Sequence, residues 1–309
     1  MQGACLRVAA VVGFLWGMKL IALHEATHET LALVAAGQLI QVAGGFACDR
    51  AEWEALAYYE QQEWRVRAAG LSVREAVLVG KSAARIHGLW VLSAREEEVE
   101  LTLPAGGLPR RTQWSAGYRY RRLILADDDY REIDGLRVTS RPRACIDTAR
   151  FHGFADGLVA MDSLLRQGYY REHVSLVIAR MGRCKNITVA RRCLELAIST
   201  SESPYESFAR ALLIEGLPGA AVRPQVRVLP GVRVDLLVDE HVVEEIDGDV
   251  KYDGQTYRGT EETIVAERAR EKQLHNAGYQ VVRYSPAQLR REPERFIAEV
   301  SAALARKAA

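Results

Sequence analysis

The residues with the clearest chemical potential lie between positions 233 and 251. There Asp235, Glu244, Glu245, Asp247 and Lys251 interrupt apolar sequence. The runs Val232–Val238 and Val242–Ile246 flank the polar break Asp239-Glu240-His241, a pattern that predicts a β-hairpin buried on at least one face. Side chains alternate along a strand, so Val243, Glu245 and Asp247 point one way and Val242, Glu244 and Ile246 the other. Unpaired carboxylates inside a sheet are costly. A divalent cation offsets that cost, because Mg²⁺ takes oxygen ligands and typically one or two protein carboxylates. Such an ion polarises a scissile phosphate and activates water, while a nearby lysine orients that water or stabilises charge. These residue types at this spacing therefore point to metal-dependent phosphodiester hydrolysis.

The wider pattern resembles the PD-(D/E)xK nuclease superfamily, in its small branch related to the very-short-patch repair endonucleases. The resemblance runs in order through Glu206-Ser207-Phe208-Ala209-Arg210, Arg233-Val234-Asp235, Glu245-Ile246-Asp247-Gly248 and Lys251-Tyr252. It continues in Glu267-Arg268-Ala269-Arg270-Glu271-Lys272-Gln273-Leu274 and closes in Gly278-Tyr279-Gln280-Val281-Val282-Arg283-Tyr284. It implies a restriction-endonuclease-like α/β core binding Mg²⁺, with Mn²⁺ as a substitute. Asp235 and Glu245 would be metal ligands, and Asp247 a third ligand or a water-orienting group. Lys251 would stabilise charge on the phosphate, and Glu206 would assist from its helix. The name-giving motif places Lys two residues after the acid; Asp247 stands there, with Lys251 displaced. Arg233, Tyr252, Arg258, Arg268 and Lys272 are the DNA-contact candidates of this part. Arg268 and Lys272 lie four apart on one side of the helix expected over residues 261–277.

The elements that must position these residues occupy a chain of 309 residues, long enough for several domains. Its 49% hydrophobic and 26% charged composition is that of an ordinary globular protein. Net charge is only +1, so any nucleic-acid surface must be local. Cys5, Cys48, Cys145, Cys184 and Cys193 form no CxxC pair and are odd in number, which suits reduced thiols in a cytoplasmic protein. The apolar start is broken by Arg7 and Lys19, too short to span a bilayer, and reads as a buried amphipathic helix.

Residues 1–50 read as a winged helix-turn-helix: helices over 6–16 and 18–23, a third capped by Thr27 and ended by Gly37, then strands at 38–42 and 46–48. Leu33-Val34-Ala35-Ala36-Gly37-Gln38-Leu39-Ile40-Gln41-Val42-Ala43-Gly44-Gly45-Phe46 resembles the N-terminal domain of AbiEi-type antitoxins, which implies a DNA-binding helix-wing unit. Within it, His24-Glu25-Ala26-Thr27-His28 is a literal H-E-x-x-H. Zinc chemistry needs one continuous helix through both histidines, whereas Thr27 reads as a cap that interrupts it.

Residues 51–150 read as a mixed α+β domain, with helices over 64–79 and 81–89 and strands at 98–103, 118–125 and 136–139. A further helix opens at Arg141. Ser82-Ala83-Ala84-Arg85-Ile86-His87-Gly88-Leu89, together with the later Gly135 to Asp147-Thr148-Ala149, again resembles the AbiEi type in structural rather than catalytic positions. His87 reads as a core or helix-end histidine. Arg119 and Arg121 share one strand face near Arg110, Arg111, Trp114, Tyr118, Tyr120 and Arg122. That patch suits nucleic-acid contact, or alternatively is a solvated strand balanced by Asp127-Asp128-Asp129. Residues 151–202 read as a helical connector and 203–309 as the nuclease-like domain, opening with Ser203 as N-cap and Pro204 in the first turn.

The expectation is a mixed α/β, multi-domain protein acting as a Mg²⁺-dependent DNA endonuclease, with DNA and a possible protein partner (a toxin or defence component) and no membrane association. The opposing reading is a non-catalytic, antitoxin-like transcriptional regulator that retains an inactive nuclease fold.

Overall fold

A computed structural model describes residues 11–15, 18–93, 97–246 and 261–306. Among the described residues it is mixed α/β, with twelve α-helices and three sheets, and it divides into two compact units. The first comprises residues 1–88 and 93–144, the second 89–92 and 145–309.

The first unit begins with β1 (Val11–Leu15) and β2 (Met18–Ala22), followed by α1 (His28–Ala35), β3 (Leu39–Ala43) and β4 (Phe46–Asp49). These strands form one sheet in the order β1-β2-β4-β3. The helices expected over 6–16 and 18–23 are thereby corrected to strands for the described residues. Short apolar runs do not separate a buried helix from a buried strand by periodicity, and pairing decides. Ile21 sits opposite Ala47 of β4, while Met18, Leu20 and Ala22 join Phe46 and Cys48 in a core closed by Trp53 and Trp64. The expected hairpin at 38–48 is present as β3 and β4. Thr27 caps α1 by accepting a hydrogen bond from the Thr30 N–H at 3.2 Å. His24 lies in a separate 3₁₀ turn, so no single helix carries both histidines of the H-E-x-x-H string.

The same unit continues through α2 (Arg50–Ala55), α3 (Tyr58–Ser72), β5 (Val77–Leu78), α4 (Gly80–Ile86), β6 (Val99–Thr102), β7 (Tyr118–Tyr120), β8 (Tyr130–Ile133) and β9 (Leu136–Thr139). The last five strands form a sheet ordered β7-β6-β5-β9-β8. The helix expected over 64–79 starts earlier and stops at Ser72, because Val77 and Leu78 are drawn into the sheet between β6 and β9. The boundary between the units falls inside α5 (Arg141–His152).

The second unit contains α6 (Phe154–Arg166), α7 (Arg171–Met181), α8 (Ile187–Leu196) and α9 (Pro204–Gly216), the last capped by Ser203 with proline in its first turn. Then come β10 (Val222–Leu229), β11 (Val232–Val238), β12 (Val242–Ile246), α10 (Glu261–Asn276), β13 (Gln280–Tyr284), α11 (Pro286–Arg291) and α12 (Pro293–Ala305). The single closing helix expected from 287 is two helices, since Pro293 supplies no N–H to continue α11.

The sheet runs β10-β11-β12-β13. The first three strands are an antiparallel meander, and β13 returns parallel to β12 through α10. One face buries Leu236, Val238, Val242 and Tyr284 against Leu213, Phe296 and Val300 of α9 and α12. Val232, Val234, Leu237 and Val243 pack with Leu274 of α10. No helix among the described residues is long and apolar enough to cross a membrane.

Candidate functional site

The hairpin read from the sequence forms with Leu236 opposite Glu244 and Val238 opposite Val242. One residue beyond that register, Asp235 and Glu245 are near enough for the charge of Glu245 to act on Asp235. The β12 alternation is as expected: Val242 packs with α9 and α12, and Val243 with α10.

Asp235 occupies an irregular point of β11. Val234 packs with the α10 cluster and Leu236 with the opposite one, although strict alternation would send both the same way. Across the pair, Gln225 lies between the registered pairs Pro224–Leu236 and Val226–Val234 and has φ +53°, the left-handed region that few non-glycine residues adopt. The strain falls beside the acid. Asp235 Oδ2 accepts the Ile246 N–H at 2.9 Å, so the carboxylate itself ties β11 to the end of β12.

Glu206, on the first turn of α9, is buried and its Oε2 accepts from Gln225 Nε2 at 2.7 Å and from the Glu202 N–H at 2.9 Å. Its charge and that of Glu245 both act on Asp235. Burial first, opposed by the Ile246 hydrogen bond and reinforced by these two carboxylates, pushes the Asp235 carboxyl up to about 6. Three sequence-selected acids from α9, β11 and β12 thus share one electrostatic neighbourhood.

Glu245 is 6% exposed and held from two sides. Arg283, its registered neighbour on β13, donates Nε–H to Oε2 at 3.1 Å. Arg270, from α10, is ion-paired to Oε1. The sequence reading missed both arginines. It selected Arg268 and Lys272, which are exposed on α10, whereas the phase of the helix is set by buried Leu274, and Arg270 stands four residues before it. Arg283 did carry a signal: a cation in the strand Val281-Val282-Arg283-Tyr284 needs a carboxylate partner. Arg233 is exposed and paired with Glu202 at 2.8 Å. Asp247, Lys251, Tyr252 and Arg258 lie outside the described residues.

In the first unit, Arg119 of β7 pairs with Glu98, just before β6, at 2.7 Å, and Arg121, just after β7, donates Nε–H to Glu100 of β6 at 2.8 Å. The arginines of this strand are therefore matched by acids on its neighbour. His87 is buried at the end of α4, with Nε2–H donated to the Thr139 carbonyl at 2.7 Å. It is the core histidine expected.

For an ion, the donor chemistry at Asp235 and Glu245 fits in kind. Both are carboxylates, and Glu245 Oε1 is a buried oxygen whose partner is the Arg270 guanidinium. Among the described residues no three His, Cys, Asp or Glu side chains gather closely enough to hold a metal by themselves. Mg²⁺ asks for less, since one or two protein carboxylates with water and substrate oxygens suffice. No protein-family model, no curated protein and no solved structure matches the chain.

Proposed function

We propose that the second unit hydrolyses phosphodiester bonds in DNA with a divalent cation, Mg²⁺ or Mn²⁺, held by Asp235 and Glu245. The supporting observation is the half-buried Asp235 carboxyl, with Glu206 and Glu245 close enough for their charges to help burial push it up to about 6. Bringing a buried carboxylate near two others costs electrostatic free energy, and a bound cation would offset that cost. The meander followed by a helical return to a parallel strand also supports the nuclease-like reading of residues 203–309.

When bound, the ion supplies charge to polarise the scissile phosphate. The remaining work belongs to the chain. The Ile246 N–H orients the Asp235 carboxylate, Gln225 fixes Glu206 beside it, and Arg283 fixes Glu245 from the adjacent strand. Lys251 and Asp247 keep the roles proposed from the sequence, charge stabilisation and water orientation or ligation. The antitoxin-like reading of residues 1–150 is a proposal of the same standing and makes DNA the shared partner of both units, but without the helix-turn-helix expected before residue 27, since residues 18–22 are a strand.

Titration calorimetry with Mn²⁺ on the intact chain tests this. Uptake lost in Asp235→Asn, together with Mg²⁺-dependent plasmid nicking lost in the same variant, is the expected result; no uptake and no nicking rejects it. A second reading, DNA or partner binding without catalysis, is favoured by one observation: Glu245 already has two arginine partners. Tight, metal-independent DNA binding by a chain that takes up no Mn²⁺ would establish it.

A further inference from the structure

The two arginines on Glu245 are not equivalent. Arg283 makes a directed hydrogen bond from the adjacent strand and has other acids at hand, Glu267 at 2.6 Å and Glu271 at 3.8 Å. Arg270 Nη2 is ion-paired to the other carboxylate oxygen, Glu245 Oε1. The same Arg270 Nη2 donates to the Arg233 carbonyl at 2.8 Å, two residues before Asp235. Its positive charge also acts on Asp235, where it is the cation that opposes the effect of burial. One guanidinium from α10 therefore spans β11 and β12, the two strands that supply the acids.

We propose that Arg270 is the internal counter-ion of this site and is exchanged for a divalent cation when the site loads, while Arg283 stays on Glu245. This rests on the reading that Asp235 and Glu245 take such a cation. A guanidinium in contact with Glu245 and a dication on the same carboxylates repel each other strongly at short range in a half-buried setting. Arg270 is the partner whose charge acts on both acids, so it is the one that the dication displaces. Arg270 has somewhere to go: its side chain is 30% exposed and Glu267, one turn earlier on α10, is 3.5 Å away. In the exchange a positive charge faces the buried acids at every stage, first Arg270 and then the ion. It also reconciles two arginine partners with a ligand role for Glu245.

The test compares Mn²⁺ affinity by calorimetry in the wild-type chain, Arg270→Gln, Arg270→Lys and Asp235→Asn. Removing the competing charge should tighten Mn²⁺ binding about tenfold in Arg270→Gln, the order expected for loss of one nearby like charge, whereas Arg270→Lys stays near wild type. Unchanged or weaker binding in Arg270→Gln overturns the exchange and leaves Arg270 as a support for Glu245. Absence of Mn²⁺ uptake in both wild type and Arg270→Gln overturns instead the reading on which it rests. A second measurement does not depend on how Arg270→Gln folds. The Nε–Hε resonance of Arg270 in the wild-type chain, assigned by its loss in Arg270→Lys, should shift on addition of Mg²⁺ while that of Arg283 holds. The reverse pattern, or no change in either at saturating Mg²⁺, sinks the proposal.

Discussion

Arg210 Nη2 donates to both carboxylate oxygens of Asp162, at 3.0 and 2.9 Å, and both side chains are buried. The pair joins α6 to α9 one turn beyond Glu206 and thus fixes the helix that brings the third acid to the sheet. Asp162 also accepts the Ile198 N–H at 2.7 Å, and Arg210 Nη1 donates to the Leu196 carbonyl at 2.9 Å, so the end of α8 is tied to the same point. Breaking a buried pair from one side leaves a buried charge uncompensated. Asp162→Ala should destabilise the second unit by about 3–5 kcal/mol, and the double replacement Asp162→Leu with Arg210→Met by much less. Urea denaturation of the three chains measures the difference, and equal losses for single and double variants would contradict it.

That pair also marks how far the sequence could be read. Its partners stand 48 positions apart with no shared periodicity, so nothing local joins them. The Asp235–Glu245 hairpin was legible for the opposite reason. Its apolar runs, its polar turn and the placement of its acids are all local, and the register follows from which face is apolar. The Glu245 clamp was half legible. Arg283 is visible as a strand cation, but Arg270 is hidden because its inward phase depends on Leu274 packing against β11 and β12. At the N-terminal end the expectation failed. Residues 11–15 and 18–22 are short apolar runs whose conformation is decided by pairing with each other and with β4 rather than by local preference.

His87 gives the first unit a pH dependence of its own. Burial lowers its imidazole from 6.5 to about 4, with the nearby Arg141 and Arg131 charges acting the same way and the Thr139 hydrogen bond opposing them. The folded state therefore holds His87 neutral while the unfolded chain protonates near 6.5. Its contribution is complete above pH 6.5 and is lost as pH falls toward 4, a decline of about 2–3 kcal/mol. Denaturation monitored at pH 7, 5.5 and 4 should follow that fall in wild type and a shallower one in His87→Gln. Parallel curves would remove His87 as the cause.

Gly44 and Gly45 form the β3–β4 turn, both with positive φ, at +46° and +91°. They differ in surroundings. A Cβ on Gly44 would come to 2.2 Å from Tyr118 Oη and 2.3 Å from Ser72 Oγ, two atoms hydrogen-bonded to each other at 2.9 Å, whereas one on Gly45 meets nothing within 4 Å. Gly45→Ala should cost only the left-handed backbone, about 1–2 kcal/mol. Gly44→Ala adds the cost of forcing that hydrogen-bonded pair aside, for a total of about 2–4 kcal/mol. Equal melting points for the two variants would show that the turn opens without resistance.

Asp235 predicts a trade between stability and activity that can be measured without substrate. Its carboxyl is raised from 3.8 to about 6, so the unfolded chain loses that proton at lower pH than the folded one does. Below pH 3.8 the residue is neutral in both states and costs nothing. As pH rises through 6 the folded state must carry the charge, and stability is lost. Discounted for the solvent that reaches this half-buried side chain, the penalty at neutral pH is about 1–2 kcal/mol. Asp235→Asn, whose amide oxygen can still accept the Ile246 N–H, should therefore be more stable than wild type by that amount at pH 7 with chelator present. The advantage should shrink to nothing near pH 4. Saturating Mn²⁺ should reverse the order at pH 7, because only the wild-type chain gains from binding the ion. Denaturation at two pH values, with and without Mn²⁺, gives all four numbers. A variant less stable than wild type at pH 7 in chelator would show that the acid is there to hold the sheet together, not to do chemistry.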